Sequence, residues 1–379
     1  MIGRELVDEV RAWLAREAAP LTPEQVARAL RSRGRPVGDA TVLAVHDALQ
    51  RDVVGAGPLE PLLRLPGVTD VLVNGADQVW IDRGEGLELT EVRLPSEAAV
   101  RRLAQRLAAA ASRRLDDSTP YVDLRLPDGS RLHAVLAPLS RPGTTISIRV
   151  PRSRVFTLEE LVGAGALDGD GAALLRRLVS RRRSFLVTGG TGSGKTTVLN
   201  ALLSLVDQQE RLVVVEDSSE LRPDHPHVVS LEARPANSEG VGEIPMRTLV
   251  RQALRMRPDR LVVGEVRGGE VVDLLAAMNT GQEGGCGTMH ANSAADLPSR
   301  VEALALAGGL DRAAAHSQLA AAVDVVVHLA RREGVRAVHE LGVLERSADG
   351  LVSVIPAVRL QPDGVVEGPG ATRLGELLR

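Results

Sequence analysis

The stretch Gly189-Gly190-Thr191-Gly192-Ser193-Gly194-Lys195-Thr196 decides the fold. It fills G-x-x-x-x-G-K-[ST] at every position, follows the apolar run Phe185 to Thr188 and opens a helical segment at Lys195. A strand before and a helix after are the context this pattern requires. Glycines, lacking Cβ, let successive backbone N–H groups close around phosphate oxygens. The helix N-terminus adds the positive end of its dipole. Lys195 brings a point charge to the β- and γ-phosphates, and Thr196 offers a hydroxyl to Mg2+. The candidate nucleotide-binding set is Gly189, Gly190, Thr191, Gly192, Ser193, Gly194, Lys195, Thr196 and the adjoining Thr197, with ATP and Mg2+ as the implied ligands.

Lys195 is also the only lysine of the chain; the other 45 of its 46 basic residues are arginine. An arginine fork is planar and bulky where an ammonium is compact, so an arginine-biased chain that keeps one lysine in a phosphate loop keeps it for its shape. The remaining composition narrows the function. A length of 379 residues suggests two or three domains. A single cysteine, Cys286, forbids an intrachain disulfide and a Cys-rich zinc site. A net charge of −3 and five aromatic residues leave little for a nucleic-acid path, so no nucleic-acid partner is expected. No apolar run approaches the length of a membrane helix, and Met1 to Glu5 has no secretory apolar core behind it.

Outward from the loop, strands and helices alternate. Leu212 to Glu216, Val228 to Leu231, Leu261 to Val263 and Gly287 to His290 read as strands; Pro245 to Met256 and Glu270 to Asn279 read as helices. That alternation predicts a parallel, helix-flanked sheet, followed by β segments at Val323 to Leu329, Val335 to Leu344 and Val352 to Leu360. Upstream, short strands punctuated by Asn74-Gly75 and Arg83-Gly84 surround a helix capped by Ser96. The first residues are helical: Ile2, Leu6, Val10, Trp13 and Leu14 share one face, Thr22-Pro23-Glu24-Gln25 is a capping box, and Arg33 to Pro36 breaks the second helix. The expected organisation is an α/β protein: a helical preface over 1–55, a smaller α+β N-terminal domain over 56–150, a linker with a short helix over 151–172, and a P-loop NTPase domain over 173–379.

Hydrolysis also needs acids near the phosphates, and two end apolar strands. Leu212 to Val215 runs into Glu216-Asp217, and Leu261 to Val263 into Gly264-Glu265. Strand C-termini line the ligand crevice in such sheets. Gly264 stands where an aspartate would ordinarily hold the metal, so Glu265 fits the polarising of water and Glu216 the Mg2+ shell. His290 and Asn292 could sense the γ-phosphate or a neighbouring subunit, although spacing alone equally allows His290 to be a satisfied core group.

Together these residues resemble the type II/type IV secretion ATPases. The loop at 189–196, Val215-Glu216-Asp217 with Glu220-Leu221, Gly264-Glu265-Val266-Arg267, and Met289-His290-Ala291-Asn292 look like that family's Walker A, Asp, Walker B and His boxes. Gly57-Pro58-Leu59-Glu60-Pro61-Leu62, Val73-Asn74-Gly75, Asp128-Gly129-Ser130-Arg131 and Ile146-Ser147-Ile148-Arg149 resemble its N-terminal domain, nearest to the CpaF/TadA-type branch of Tad (Flp) pilus assembly. The resemblance implies a RecA-like C-terminal domain and a homo-hexamer. It also implies a peripheral position at the inner face of the cytoplasmic membrane, where the ring drives platform proteins of a pilus or secretion system. It implies that Glu265 polarises water, that Glu216 and Thr196 hold Mg2+, and that His290 belongs to the catalytic group. Arg131 and Arg149 become candidate arginine contacts to phosphate, with Arg247 and Arg267 weaker ones. The sequence departs from the family at Gln282, where a histidine is usual. Two other functions compete: a RecA-like DNA translocase or helicase, and an adaptor that binds nucleotide without hydrolysing it.

Overall fold

The computed structural model describes residues 4–17, 19, 22–32, 38–53, 55–84, 86–126, 128–150, 155–236, 240–281, 283–332, 335–361 and 364–379. The expectations that fell on Arg33 to Pro36 and on Gln282 lie outside these residues. The chain divides into two compact units, 1–153 and 154–379.

The N-terminal unit opens with three helices, α1 (Arg4–Arg16), α2 (Pro23–Arg31) and α3 (Asp39–Val53). Thr22 Oγ1 caps α2 by accepting from the Gln25 N–H. Val7, Val10, Leu14, Val26, Leu30, Val42, Val45 and Leu49 close these helices around their own small core. The short α4 (Glu60–Leu63) leads into β1 (Asp70–Asn74), β2 (Gln78–Asp82) and β3 (Leu87–Leu89). Helix α5 (Glu97–Ala110) follows, then β4 (Tyr121–Arg125), β5 (Arg131–Val135) and β6 (Thr145–Arg149). The strands form one antiparallel sheet in the order β3-β2-β1-β6-β5-β4. Alternation does the work: Val71, Val73, Leu132, Ala134, Ile146 and Ile148 turn inward to meet Val100, Leu103, Ala104 and Leu107 of α5, so the intervening residues point to the opposite face.

The C-terminal unit begins with α6 (Leu158–Gly163) and α7 (Gly169–Ser180). The short helix expected within 151–172 is α6, opened by the Thr157–Glu160 capping box. Leu158 and Leu161 of that helix, with Leu167 and Ala172, are buried in the main core of this unit. The strands and helices that follow are β7 (Phe185–Gly189), α8 (Lys195–Leu203), β8 (Leu212–Glu216), β9 (Val228–Glu232), α9 (Met246–Ala253), β10 (Arg260–Val266), α10 (Glu270–Met278) and β11 (Cys286–Met289). Then come α11 (Leu297–Ala307), α12 (Arg312–Ala322), β12 (Val325–Arg332), β13 (Val335–Arg346), β14 (Val352–Gln361), β15 (Gly364–Glu367) and α13 (Ala371–Leu377). Nine strands form one sheet in the order β15-β14-β13-β12-β7-β11-β10-β8-β9. The six from β12 to β9 run parallel, and β13 to β15 extend the sheet antiparallel.

Apolar residues of the central strands serve two cores, one on each face. Phe185, Val187, Leu212, Val214 and Val262 enter one, and Leu186, Val213, Val215, Leu261 and Val263 the other. That is why these strands are continuous hydrophobic runs. Strand β11 lies between β7 and β10, so the residue after its end emerges between the ends of those two strands. This RecA-like α/β arrangement fixes what the strand ends can bring together.

Candidate nucleotide-binding and hydrolysis site

The phosphate loop leaves β7 through Gly189, whose φ of +153° and surroundings admit no side chain. A Cβ there would stand 2.6 Å from both the Leu329 carbonyl and Ser193 Oγ. Gly194, at φ +97°, turns the chain into α8. Lys195 begins the helix, is 7% exposed, and donates from Nζ to the carbonyls of Gly189 (3.0 Å) and Gly190 (2.9 Å). Burial lowers its pKa from the usual lysine value, opposed by the nearby Glu265 charge. Ser193 Oγ is buried with no hydrogen-bond partner among the described residues. A phosphate oxygen suits that orphaned hydroxyl, the loop N–H groups and the ammonium. Thr196 and Thr197 lie half-buried in the first turn of α8.

Glu216 ends β8 and is 3% exposed. Its Oε1 accepts from the backbone N–H groups of Glu220 (2.9 Å) and Leu221 (3.0 Å), while Oε2 is buried without a hydrogen-bond partner among the described residues. The turn that supplies these donors is moored to the loop helix: Asn200 Oδ1 accepts from the Arg222 N–H, and Ser204 Oγ from the Asp224 N–H, both at 2.9 Å. Burial pushes the Glu216 carboxyl up to about 7, against the two backbone donors. A buried, half-satisfied carboxylate is the donor chemistry a hard divalent cation takes, so Glu216 suits Mg2+. Among the described residues no cluster of three or more His, Cys, Asp or Glu side chains forms a metal cage by itself.

The same carboxylate explains the glycine that replaces the usual acid on β10. A Cβ on Gly264 would lie 2.5 Å from Glu216 Cγ and 2.9 Å from its Oε1. Glu216 reaches across from the neighbouring strand into the space an aspartate would fill. Gly264→Ala is expected to cost about 1–3 kcal/mol by overpacking. Thermal melts should show that penalty shrinking in the Gly264→Ala/Glu216→Ala double variant. An equal penalty in both backgrounds would remove the contact as its cause.

The Glu216 shift also fixes a sign. Its folded pKa of about 7 lies above the ordinary 4.5. The folded state therefore holds a proton the unfolded state has lost across that window, and stability falls as pH rises through it. Without divalent cation, wild type should lose up to about 3 kcal/mol relative to Glu216→Gln between pH 4.5 and 7. Melting both at pH 5, 6, 7 and 8 checks this; parallel curves would contradict it.

Glu265 is re-aimed by a bulge. Val263 pairs with Gly287 and Val266 with Met289, so β10 carries one residue more than β11 across Gly264-Glu265. Thr288 Oγ1 donates to the Gly264 carbonyl at 2.6 Å, satisfying a group the bulge takes from the ladder. His290, just past β11, has Nε2 at 2.6 Å from Glu265 Oε1 and Nδ1 at 3.5 Å from Lys195 Nζ. Burial first, then the Lys195 charge, lowers the His290 pKa, with Glu265 opposing. A neutral ring with its proton on Nε2 suits both neighbours. Lys195, His290 and Glu265 thus lie in one line, with His290 half-buried at the strand ends rather than in the core.

The candidate arginines each have partners within their own unit. Arg267 donates to Glu265 Oε2 (2.5 Å) and to Asp217 Oδ2 (2.7 Å). Arg247 and Arg251 both hold Asp273, clamping α9 to α10. Arg131 and Arg149 belong to the N-terminal unit, where they face each other across β5 and β6; Arg131 pairs with Asp123 and Arg149 with Asp70. Cys286 is buried, its thiol pushed up to about 12 by burial, and inert. One supporting group has no local sequence signal. His328 Nδ1 lies 2.9 Å from Thr188 Oγ1, and its ring has a backbone hydrogen bond with Asn292, tying the strand before the loop to the segment after His290. It is 140 residues from Thr188 in sequence.

A family model described as "Type II/IV secretion system protein" matches residues 52–349. The chain is 57% identical over 326 residues to "Putative conjugal transfer protein Rv3659c" of Mycobacterium tuberculosis (strain H37Rv), covering 84% of this chain and 92% of that one. It is 31% identical over 278 residues to "Conjugal transfer protein TrbB" of Rhizobium radiobacter, covering 72% and 83%. The solved Yersinia pseudotuberculosis ATPase DotB is similar in fold, with a TM-score of 0.53 at 16% identity, covering 88% of this chain and 84% of that chain.

Proposed function

The chain belongs to the type II/IV secretion system protein family, and from that premise we propose that it is an ATP-hydrolysing motor for secretion or pilus assembly. The observation that carries the hydrolytic reading is the line from Lys195 through His290 to Glu265, held by three neighbouring strand ends. In it, the loop N–H groups and Lys195 bind and orient the triphosphate. Glu265 accepts a proton from the attacking water, and His290 holds its Oε1 in place. Mg2+, when bound by Thr196 and Glu216, supplies positive charge on the phosphate oxygens. On family resemblance we also assign Arg131 and Arg149 to phosphate contacts, a homo-hexamer as the working assembly, and platform proteins at the inner face of the cytoplasmic membrane as its partners. A Tad/Flp-like or conjugal-transfer-associated system is the setting that fits. Among the described residues no helix is long and apolar enough to cross a membrane.

Steady-state phosphate release by the full chain tests the reading. Turnover that saturates with ATP, stops with EDTA and ignores added DNA is the expected result. Tight ATP binding without release would favour the adaptor, and release that depends on DNA the translocase.

A further inference from the structure

We propose that Arg267 is a positioning residue for Glu265: a clamp that spans Glu265 and Asp217 and is aimed by Glu270. The inference rests on the hydrolytic reading above and assigns that site a further part. Asp217 follows β8 and Glu265 lies on β10, so the guanidinium joins the ends of two strands through separate nitrogens, at 2.7 Å and 2.5 Å. Its direction is set by the turn between β10 and α10. Glu270, 8% exposed at the start of α10, accepts at Oε1 from the backbone N–H groups of Arg267 (2.6 Å) and Gly268 (2.7 Å). This folds the turn back on itself and sends the Arg267 side chain towards the strand ends instead of along the helix. The Glu265 carboxylate then accepts from Arg267 at Oε2, and its Oε1 lies 2.6 Å from His290 Nε2. A carboxylate that must meet a water proton loses rate steeply when its orientation slips. A planar fork can engage two carboxylates at once; an ammonium point charge lacks that fixed geometry.

The alternative is that Arg267 contacts phosphate, which would require it to leave both carboxylates. The two roles separate in the kinetics. With the full chain, Arg267→Ala should lower kcat by about 10- to 100-fold, while the Kd for a fluorescent ATP analogue moves by less than about 2-fold. Arg267→Lys should not restore kcat. Asp217→Asn should lower kcat by about 3-fold or more in the wild-type background and add nothing in the Arg267→Ala background, since Asp217 acts through Arg267. A rise of about 10-fold in Kd with kcat retained, an unchanged kcat, or additive losses in the double variant would each overturn the clamp. Absence of turnover in the wild-type chain would overturn the hydrolytic reading itself; turnover with any of those three results overturns the clamp alone.

Discussion

Lys195→Ala is expected to weaken ATP binding by about 100-fold or more, and Lys195→Arg to fail nearly as badly. The alanine case follows from removing the one charged donor inside the loop. A hydrogen bond from a charged group contributes about 1.5–3 kcal/mol, and the ammonium now shared between the Gly189 and Gly190 carbonyls is placed to exchange them for phosphate oxygens. The arginine case follows from space. The loop closes so tightly that even a Cβ on Gly189 would meet Leu329 and Ser193 at 2.6 Å, and a guanidinium needs far more room than an ammonium. Equilibrium titration with a fluorescent ATP analogue, with thermal melts to show that each variant folds, decides the matter. Binding by Lys195→Arg within about 3-fold of wild type would mean that only charge matters and that the single lysine of the chain is an accident of composition.

Glu265→Gln should bind ATP as wild type does and turn it over about 100- to 10,000-fold more slowly. Glutamine keeps the shape and still presents an oxygen to Arg267 or His290, so the line from Lys195 survives. What it lacks is a basic oxygen for the water proton. Glu216→Gln differs in kind: it removes the buried carboxylate suited to the cation, so its defect should appear as a raised Mg2+ requirement. The two acids sit on strands paired directly with each other, yet burial and partners separate them. Among the described residues Glu216 accepts from backbone N–H groups, whereas Glu265 is engaged by His290 and Arg267.

Much of this site was legible in the sequence because its signals are local. The phosphate loop is one unbroken string, and Glu216 and Glu265 each follow a run of apolar residues that must end at the crevice. What escaped depends on strand order. Nothing local says that β11 inserts between β7 and β10, yet that placement alone sets His290 between Lys195 and Glu265. The bulge at Gly264-Glu265 and the reason for its glycine are cross-strand facts, set by Glu216 from β8. His328 and Thr188 meet across β7 and β12 for the same reason. Helices α11 and α12 carry no local signal either; their sequences show little apolar periodicity, and tertiary packing holds them. The arginine bias leaves Arg267 only a weak candidate in the sequence, since residue type carries no information where nearly every basic position is arginine. Only its two carboxylate partners single it out.

The most direct test is single-turnover hydrolysis with protein in excess over labelled ATP, comparing wild type with Glu265→Gln and measuring nucleotide bound and phosphate released in the same samples. The account predicts equal binding, with prompt release by wild type and almost none by the variant. Release by Glu265→Gln at the wild-type rate would contradict it and take Glu265, with the line from Lys195 through His290, out of the chemistry.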